Sequence, residues 1–203
     1  LLTDETVGRS TDRAHLLDYR AACEDKTEKA IKLEKEAIAL IPEISEENAH
    51  LVSNLCSNLG GLYKEAGKRD LAQQSMEQGL RILEQYDLLY YHDSIAQTAN
   101  YAVLLTEMGQ PEIGLSALKK LSRMIRDLNS DQTLDYATVQ ETMGGICLIT
   151  GEVKQATSHF KKALAIYEGV YNGERDMIET KKQEILQTYT RAGIALGQQL
   201  LNN

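Results

Sequence analysis

Four glycines divide much of the chain into equal lengths. Gly67, Gly109, Gly151 and Gly193 follow one another at intervals of 42 residues, a regularity that isolated glycines do not reach by chance. The residues around them repeat as well. The stretch 58–80 (NLGGLYKEAGKRDLAQQSMEQGL), the stretch beginning at Asn100 (NYAVLLTEMGQPEIGLSALKKL) and the stretch 142–164 (TMGGICLITGEVKQATSHFKKAL) align without a gap. Such a period marks a stack of supersecondary units, none of which buries its apolar face alone.

Each unit reads as two amphipathic helices around a tight turn. Before the glycine, Cys56, Leu59 and Tyr63, and later Met143 and Cys147, recur at helical spacing. After it, Leu71, Ala72, Met76, Leu80 and Leu83 do the same. The glycine stands where the first helix ends and a left-handed backbone is often required. Pro111 falls two residues after Gly109, at a helix start, where a missing N–H is harmless.

These residues resemble the tetratricopeptide family, whose units place small and large side chains at fixed points. Cys56, Leu59-Gly60, Tyr63, Gly67, Ala72, Met76 and Gly79 fill them in the first clear unit. Gln140, Met143-Gly144, Cys147, Gly151, Ala156, Phe160 and Ala163 fill them in the third. The middle unit is looser, with Tyr101-Ala102, Leu105, Gly109, Gly114, Leu118 and Leu121. Small residues let two helices approach and large ones fill the space between.

The family's common period is about 34, and HEAT and armadillo repeats run to about 40–47. The Gly and small-residue placement favours the tetratricopeptide reading, and the 42-residue form with DYATVQETMG before the turn resembles kinesin light chain-type repeats. The resemblance implies an all-α fold: an α-α superhelix, a solenoid of stacked antiparallel helix pairs, in one domain over 1–203. Its repeats are expected at about 11–48 (degenerate, with Ala30 and Ala37 in place), 49–90, 91–132 and 133–174, with a C-terminal cap at 175–203.

Composition narrows the function. The net charge is −8 and no basic run exists, which argues against direct nucleic-acid binding. No apolar stretch approaches the ~20 residues that cross a bilayer. Cys23, Cys56 and Cys147 are odd in number and far apart, so a disulfide framework or zinc site is not expected; a reducing cytoplasm fits best, with each thiol packed on a helical stripe. His15, His50, His92 and His159 have no metal-ligand spacing, and Gly60-Gly61 and Gly144-Gly145 lack the Lys-Ser/Thr of a phosphate loop. No cofactor, metal or catalytic residue is called for, and an enzyme is the least supported reading. ISEENAH reads as a solvated helix start and KLEKEA as an exposed face with i,i+4 pairing.

In the family the first helices line the concave face. The resemblance therefore implies exposed groove positions at Asn54, Ser57, Asn58, Gly61, Lys64 and Glu65, then Ala96, Ala99, Asn100, Val103, Thr106 and Glu107, then Thr138, Glu141, Thr142, Gly145 and Leu148. Asn58 and Asn100 share one place in successive repeats, where an amide can pair with the backbone of an extended peptide; a solvated or capping role stands equally open. Thr142 and Glu184 follow in the same place. The basic carboxylate clamp of some members is absent, since only Asn100 among Ser57, Gly61, Asn100, Thr138 and Thr142 fits it. Gly61 and Gly145 either leave room for a ligand or, slightly favoured, allow close packing. Tyr86, Tyr90 and Tyr91, and Tyr167 with Tyr171, form either a contact patch or, favoured, inter-repeat core. The leading function is a scaffold binding a protein or peptide segment; the rivals are a sensor module of a larger regulator and a self-associating solenoid.

Overall fold

The computed structural model describes residues 4–89, 91–128 and 131–193, with side chains from residue 9 onward. Tyr90 and the last part of the expected cap, 194–203, lie outside the described residues. Every regular element among those described is a helix: α1 (Asp4–Ala22), α2 (Thr27–Ala39), α3 (Glu46–Glu65), α4 (Arg69–Gln85), α5 (His92–Glu107), α6 (Pro111–Leu128), α7 (Leu134–Ile149), α8 (Val153–Val170) and α9 (Arg175–Arg191). This is the all-α repeat fold that the resemblance implies. The first pair starts at Asp4, earlier than the degenerate repeat placed it.

The glycine turns explain the punctuation. Gly67, Gly109, Gly151 and Gly193 have φ of +71°, +78°, +82° and +74°, a region L side chains enter at a cost. The left-handed residue lets the next N–H turn back on the helix. Lys68 N donates to Tyr63 O, Gln110 N to Leu105 O and Glu152 N to Cys147 O, at 2.8, 2.8 and 2.7 Å. Each closes a Schellman motif on a carbonyl the helix would leave orphaned. At the start of α3, Ser45 N donates to the Asn48 side chain at 2.9 Å; Ser45, Glu46 and Glu47 are exposed, as a solvated helix start expects, whereas Asn48 and Ala49 are buried.

The helices form two compact units, Leu1–Leu104 and Leu105–Asn203, divided within α5. In the first, α1 packs on α2, α2 on α3, α3 on α4, and α1 also reaches α3. Partners within a pair run antiparallel: Gly60 lies against Met76, while Ser53 and Cys56 lie against Gly79. Equivalent helices of neighbouring pairs run parallel, offset by nearly one period. Asp18 accepts from Asn58, Glu28 from Lys68 and the Ile44 carbonyl from Tyr86. Ala14, Leu17, Ala37, Ala49, Val52, Leu55, Cys56 and Ile82 make the core.

In the second unit, α6 packs on α7, α7 on α8, α8 on α9, and α7 touches α9. Its core holds Ala137, Cys147, Ala156, Phe160, Ala163, Tyr167, Ile185 and Tyr189, with the Phe160 and Tyr189 rings 5.3 Å apart.

The small-residue rule holds in detail. A Cβ on Gly60 would stand 2.5 Å from Met76 Cγ, one on Gly79 2.9 Å from the Ser53 carbonyl, and one on Gly144 2.7 Å from the Phe160 ring. Two expectations fail. Leu71 is exposed and Leu80 only half-buried, because the inward stripe of α4 runs through Ala72, Met76, Gly79 and Leu83. Cys23 is exposed in the turn after α1, whereas Cys56 and Cys147 are buried.

Candidate functional site

Five helices of the first unit enclose a cleft of about 630 Å³. The α3 wall carries Asn58, Gly61 and Lys64, and α5 adds Asn100 and Val103. Asp18 comes from α1 and Glu34 from α2. Groove positions implied by the resemblance, from two successive repeats, thus meet around one space. Gly61 is open: an added Cβ would meet nothing within 4 Å. Close packing, the reading slightly favoured from sequence, does not account for it. At Gly145 an added Cβ would meet only Thr188 Cγ2, at 3.9 Å, so packing does not demand that glycine either.

Asn54 does not line the cleft. Its Oδ1 accepts from Gln97, and its Nδ2 lies 3.4 Å from His50 Nδ1. Ser53 Oγ sits 2.7 Å from the other end of the Gln97 amide and 3.0 Å from the Gly79 carbonyl. His50 continues the chain, 3.6 Å from Asp93 and edge-on to Tyr91. Asn54 belongs to a polar seam between α3 and α5.

A further set of groove candidates lies on α7 in the second unit. The hydroxyls of Thr138 and Thr142 donate to the carbonyls of Leu134 and Thr138, one turn back. Glu141 accepts from the Tyr167 phenol at 2.7 Å and lies 3.9 Å from Lys181 Nζ. Burial, and then the Glu141 charge, push the Tyr167 phenol well above its usual range. Lys181 also stands 5.3 Å over the Tyr167 ring. Three other groove positions are buried: Ala99, Thr106 and Leu148. At about 100° per residue, a helix carries positions at the groove's margin onto its packed side.

Tyr167 is buried and Tyr171 stacks on it at 6.0 Å, as the core reading of that pair expects. Tyr91 is exposed, and the Tyr86 hydroxyl donates to the Ile44 carbonyl.

The residue that sequence reasoning missed is Glu34. KLEKEA does not form a wholly exposed face: Glu34 is 2% exposed, and its Oε2 has no hydrogen-bond partner among the described residues. Burial, reinforced by a hydrogen bond and charge from Asp18, raises its carboxyl to about 8. Burial and the neighbouring Glu34 raise the Cys56 thiol to about 11, which leaves that cysteine unreactive. The signal was in the register. One period on, Glu34 becomes Met76, then Leu118, then Phe160, all buried apolar residues. Asp18 becomes Gly60, Ala102 and Gly144. An acid pair stands where the pairs α3–α4 and α7–α8 set a glycine against a large apolar side chain, Gly60 against Met76 and Gly144 against Phe160. Ala21, in the place of Tyr63, leaves the volume open.

Tetratricopeptide repeat is the family whose profile matches residues 94–169. Solved structures extend the likeness across nearly all of the chain. The crystal structure of BtubC (BKLC) from P. vanneervenii has a TM-score of 0.71 at 20% identity, covering 98% of this chain and 86% of that one. A Podosopora anserina putative kinesin light chain with nearly identical TPR-like repeats has a TM-score of 0.71, and a substituted form of it 0.72. Both are 16% identical and cover 98% of this chain and 94% of theirs. No curated protein matches the sequence. Residues 94–169 are tetratricopeptide-repeat sequence, and the fold is that of kinesin light chain-like repeat proteins. Repeats of this kind generally serve as protein-interaction scaffolds.

Proposed function

We propose that this chain is a scaffold that holds an extended segment of another protein in the cleft of its first unit. One observation carries the reading: Asn58, Gly61, Lys64, Asn100 and Val103 line a single space of about 630 Å³, where Gly61 leaves the floor bare. Asn58 and Asn100 are exposed. Each amide offers two donor hydrogens and an acceptor oxygen, and Asn58 commits one hydrogen to Asp18 at 2.9 Å. What remains can meet a peptide backbone whatever its side chains.

The test begins with a displayed peptide library, which supplies ligands for titration. A single Asn→Ala is expected to weaken binding severalfold, since each hydrogen bond contributes about 0.5–1.5 kcal/mol net. Asn58→Ala combined with Asn100→Ala is expected to weaken it about ten- to a hundredfold while helicity and melting temperature stay unchanged. Undiminished affinity in the folded double variant sinks the reading.

A further inference from the structure

We propose that the cleft selects a basic side chain, the guanidinium or ammonium of an Arg or Lys within an extended peptide, and seats it against Asp18 and Glu34. The proposal rests on the scaffold reading and adds the chemistry of its partner.

The acid pair departs from the architecture that surrounds it. At this place the other repeats bury Met76, Leu118 and Phe160, and a carboxyl there loses hydration without gaining packing. Glu34 lines the cleft with Oε2 unpartnered. A buried acceptor left unsatisfied is destabilising and calls for a donor. Asp18, half-buried beside it, is already oriented by the Asn58 amide. Two carboxyl groups side by side suit a group with several N–H donors and a positive charge, and a guanidinium presents its donors as a planar fork.

The rest of the lining suits the stem of such a side chain. Ala21, Leu62, Met76 and Val103 offer aliphatic contact, which long basic side chains use while their charged ends reach polar partners. A metal ion fits poorly, since among the described residues no three His, Cys, Asp or Glu side chains gather to hold one.

The titratable groups that act on or feel Glu34 are Asp18 from α1 and the Cys56 thiol from α3; Lys64 and Glu65 of α3 share the cleft, and α4 and α5 line it with Met76, Asn100 and Val103. Without ligand, Glu34 keeps its proton at neutral pH. An arriving cation needs the carboxylate, so binding releases that proton to solvent. Affinity must therefore rise with pH until Glu34 is ionised in the free protein.

The full 203-residue chain is titrated with a Gly/Ser peptide carrying one Arg, and with versions carrying Lys or uncharged citrulline. Agmatine serves as a free cation. Arg and Lys peptides are expected to bind at least about tenfold more tightly than citrulline. Their affinity should climb by up to about tenfold per pH unit from pH ~6 and level off above the Glu34 value of about 8. Glu34→Gln should abolish both the pH dependence and the preference for Arg. If that variant fails to fold, Asp18→Asn carries the test and should weaken the Arg and Lys peptides while leaving the citrulline peptide unchanged.

Equal binding of Arg and citrulline peptides, or Arg binding untouched in the folded variants, overturns the proposal. The scaffold reading still stands in that case if library ligands are lost on the double Asn substitution. Agmatine binding with no peptide binding overturns both.

Discussion

At one place in the repeat, the first helix pair of the first unit and the α7–α8 pair of the second are built from opposite chemistry. In the second unit, Gly144 receives the Phe160 ring, which also packs on Tyr189. In the first, the same place holds Asp18 and Glu34 beside a cleft. The backbone is no different: both are antiparallel helix pairs. The repeat's few small residues set helix spacing, and that spacing tolerates a change of side-chain chemistry between the helices. The comparison teaches that a function in such a fold is best sought where one unit abandons the pattern its neighbours keep.

The largest effect expected of breaking this contrast is at Phe160. Phe160→Ala should cost about 3–5 kcal/mol in chemical denaturation, because the enclosed ring leaves a void that its neighbours fill only in part. A loss below about 1 kcal/mol would show that the second unit's core does not depend on the ring.

At the matching place in the first unit the sign should reverse. The Glu34 carboxyl is raised in the folded chain, from about 4.5 to about 8. The folded form therefore holds a proton that the unfolded chain has released. The stability this gives is complete below pH ~4.5 and is lost as pH rises through about 8. Glu34→Gln removes the dependence. Relative to wild type it should gain on the order of 4 kcal/mol at pH ~8 and almost nothing at pH ~4. Parallel pH–stability curves for the two proteins would show that Glu34 is not held protonated.

The smallest effects sharpen the comparison among glycines. Gly144→Ala sets a methyl against a confined ring and should lose about 1–3 kcal/mol. Gly60→Ala meets Met76 Cγ at 2.5 Å and the Ala72 carbonyl at 3.1 Å and should lose as much. Gly61→Ala faces open space and should gain about 0.5–1 kcal/mol from helix propensity. A thermal-melt series that fails to rank them so would refute this account of which glycines are there for packing.

Much of this is legible from the sequence. The 42-residue spacing places the glycine turns, and Ala72, Met76 and Gly79 announce the close face of α4. Such positions are readable because sterics leave few alternatives. Asn58, Gly61 and Asn100 are also in reach, since a family's groove positions transfer by register. Ala99, Thr106 and Leu148 escape that transfer because a small rotation of a helix turns an edge position inward. Asn54 escapes it because its partner, Gln97, comes from a different repeat. Glu34 is hidden by its company: in KLEKEA the flanking charges describe a solvated face. Only comparison with Met76 and Phe160, rather than with its neighbours in sequence, shows that the position points inward.

The polar seam between α3 and α5 bears on how such a protein can be rearranged. Gln97 meets Ser53 with one end of its amide and Asn54 with the other. One period on from Ser53 and Gln97 stand Ile95 and Val139, both buried and apolar. A repeat excised, duplicated or grafted from elsewhere would set an amide against a hydrocarbon surface, or leave Ser53 facing one. The modules share a shape but are not interchangeable. The amide acts as a key between neighbours, and the order of the repeats is written into it.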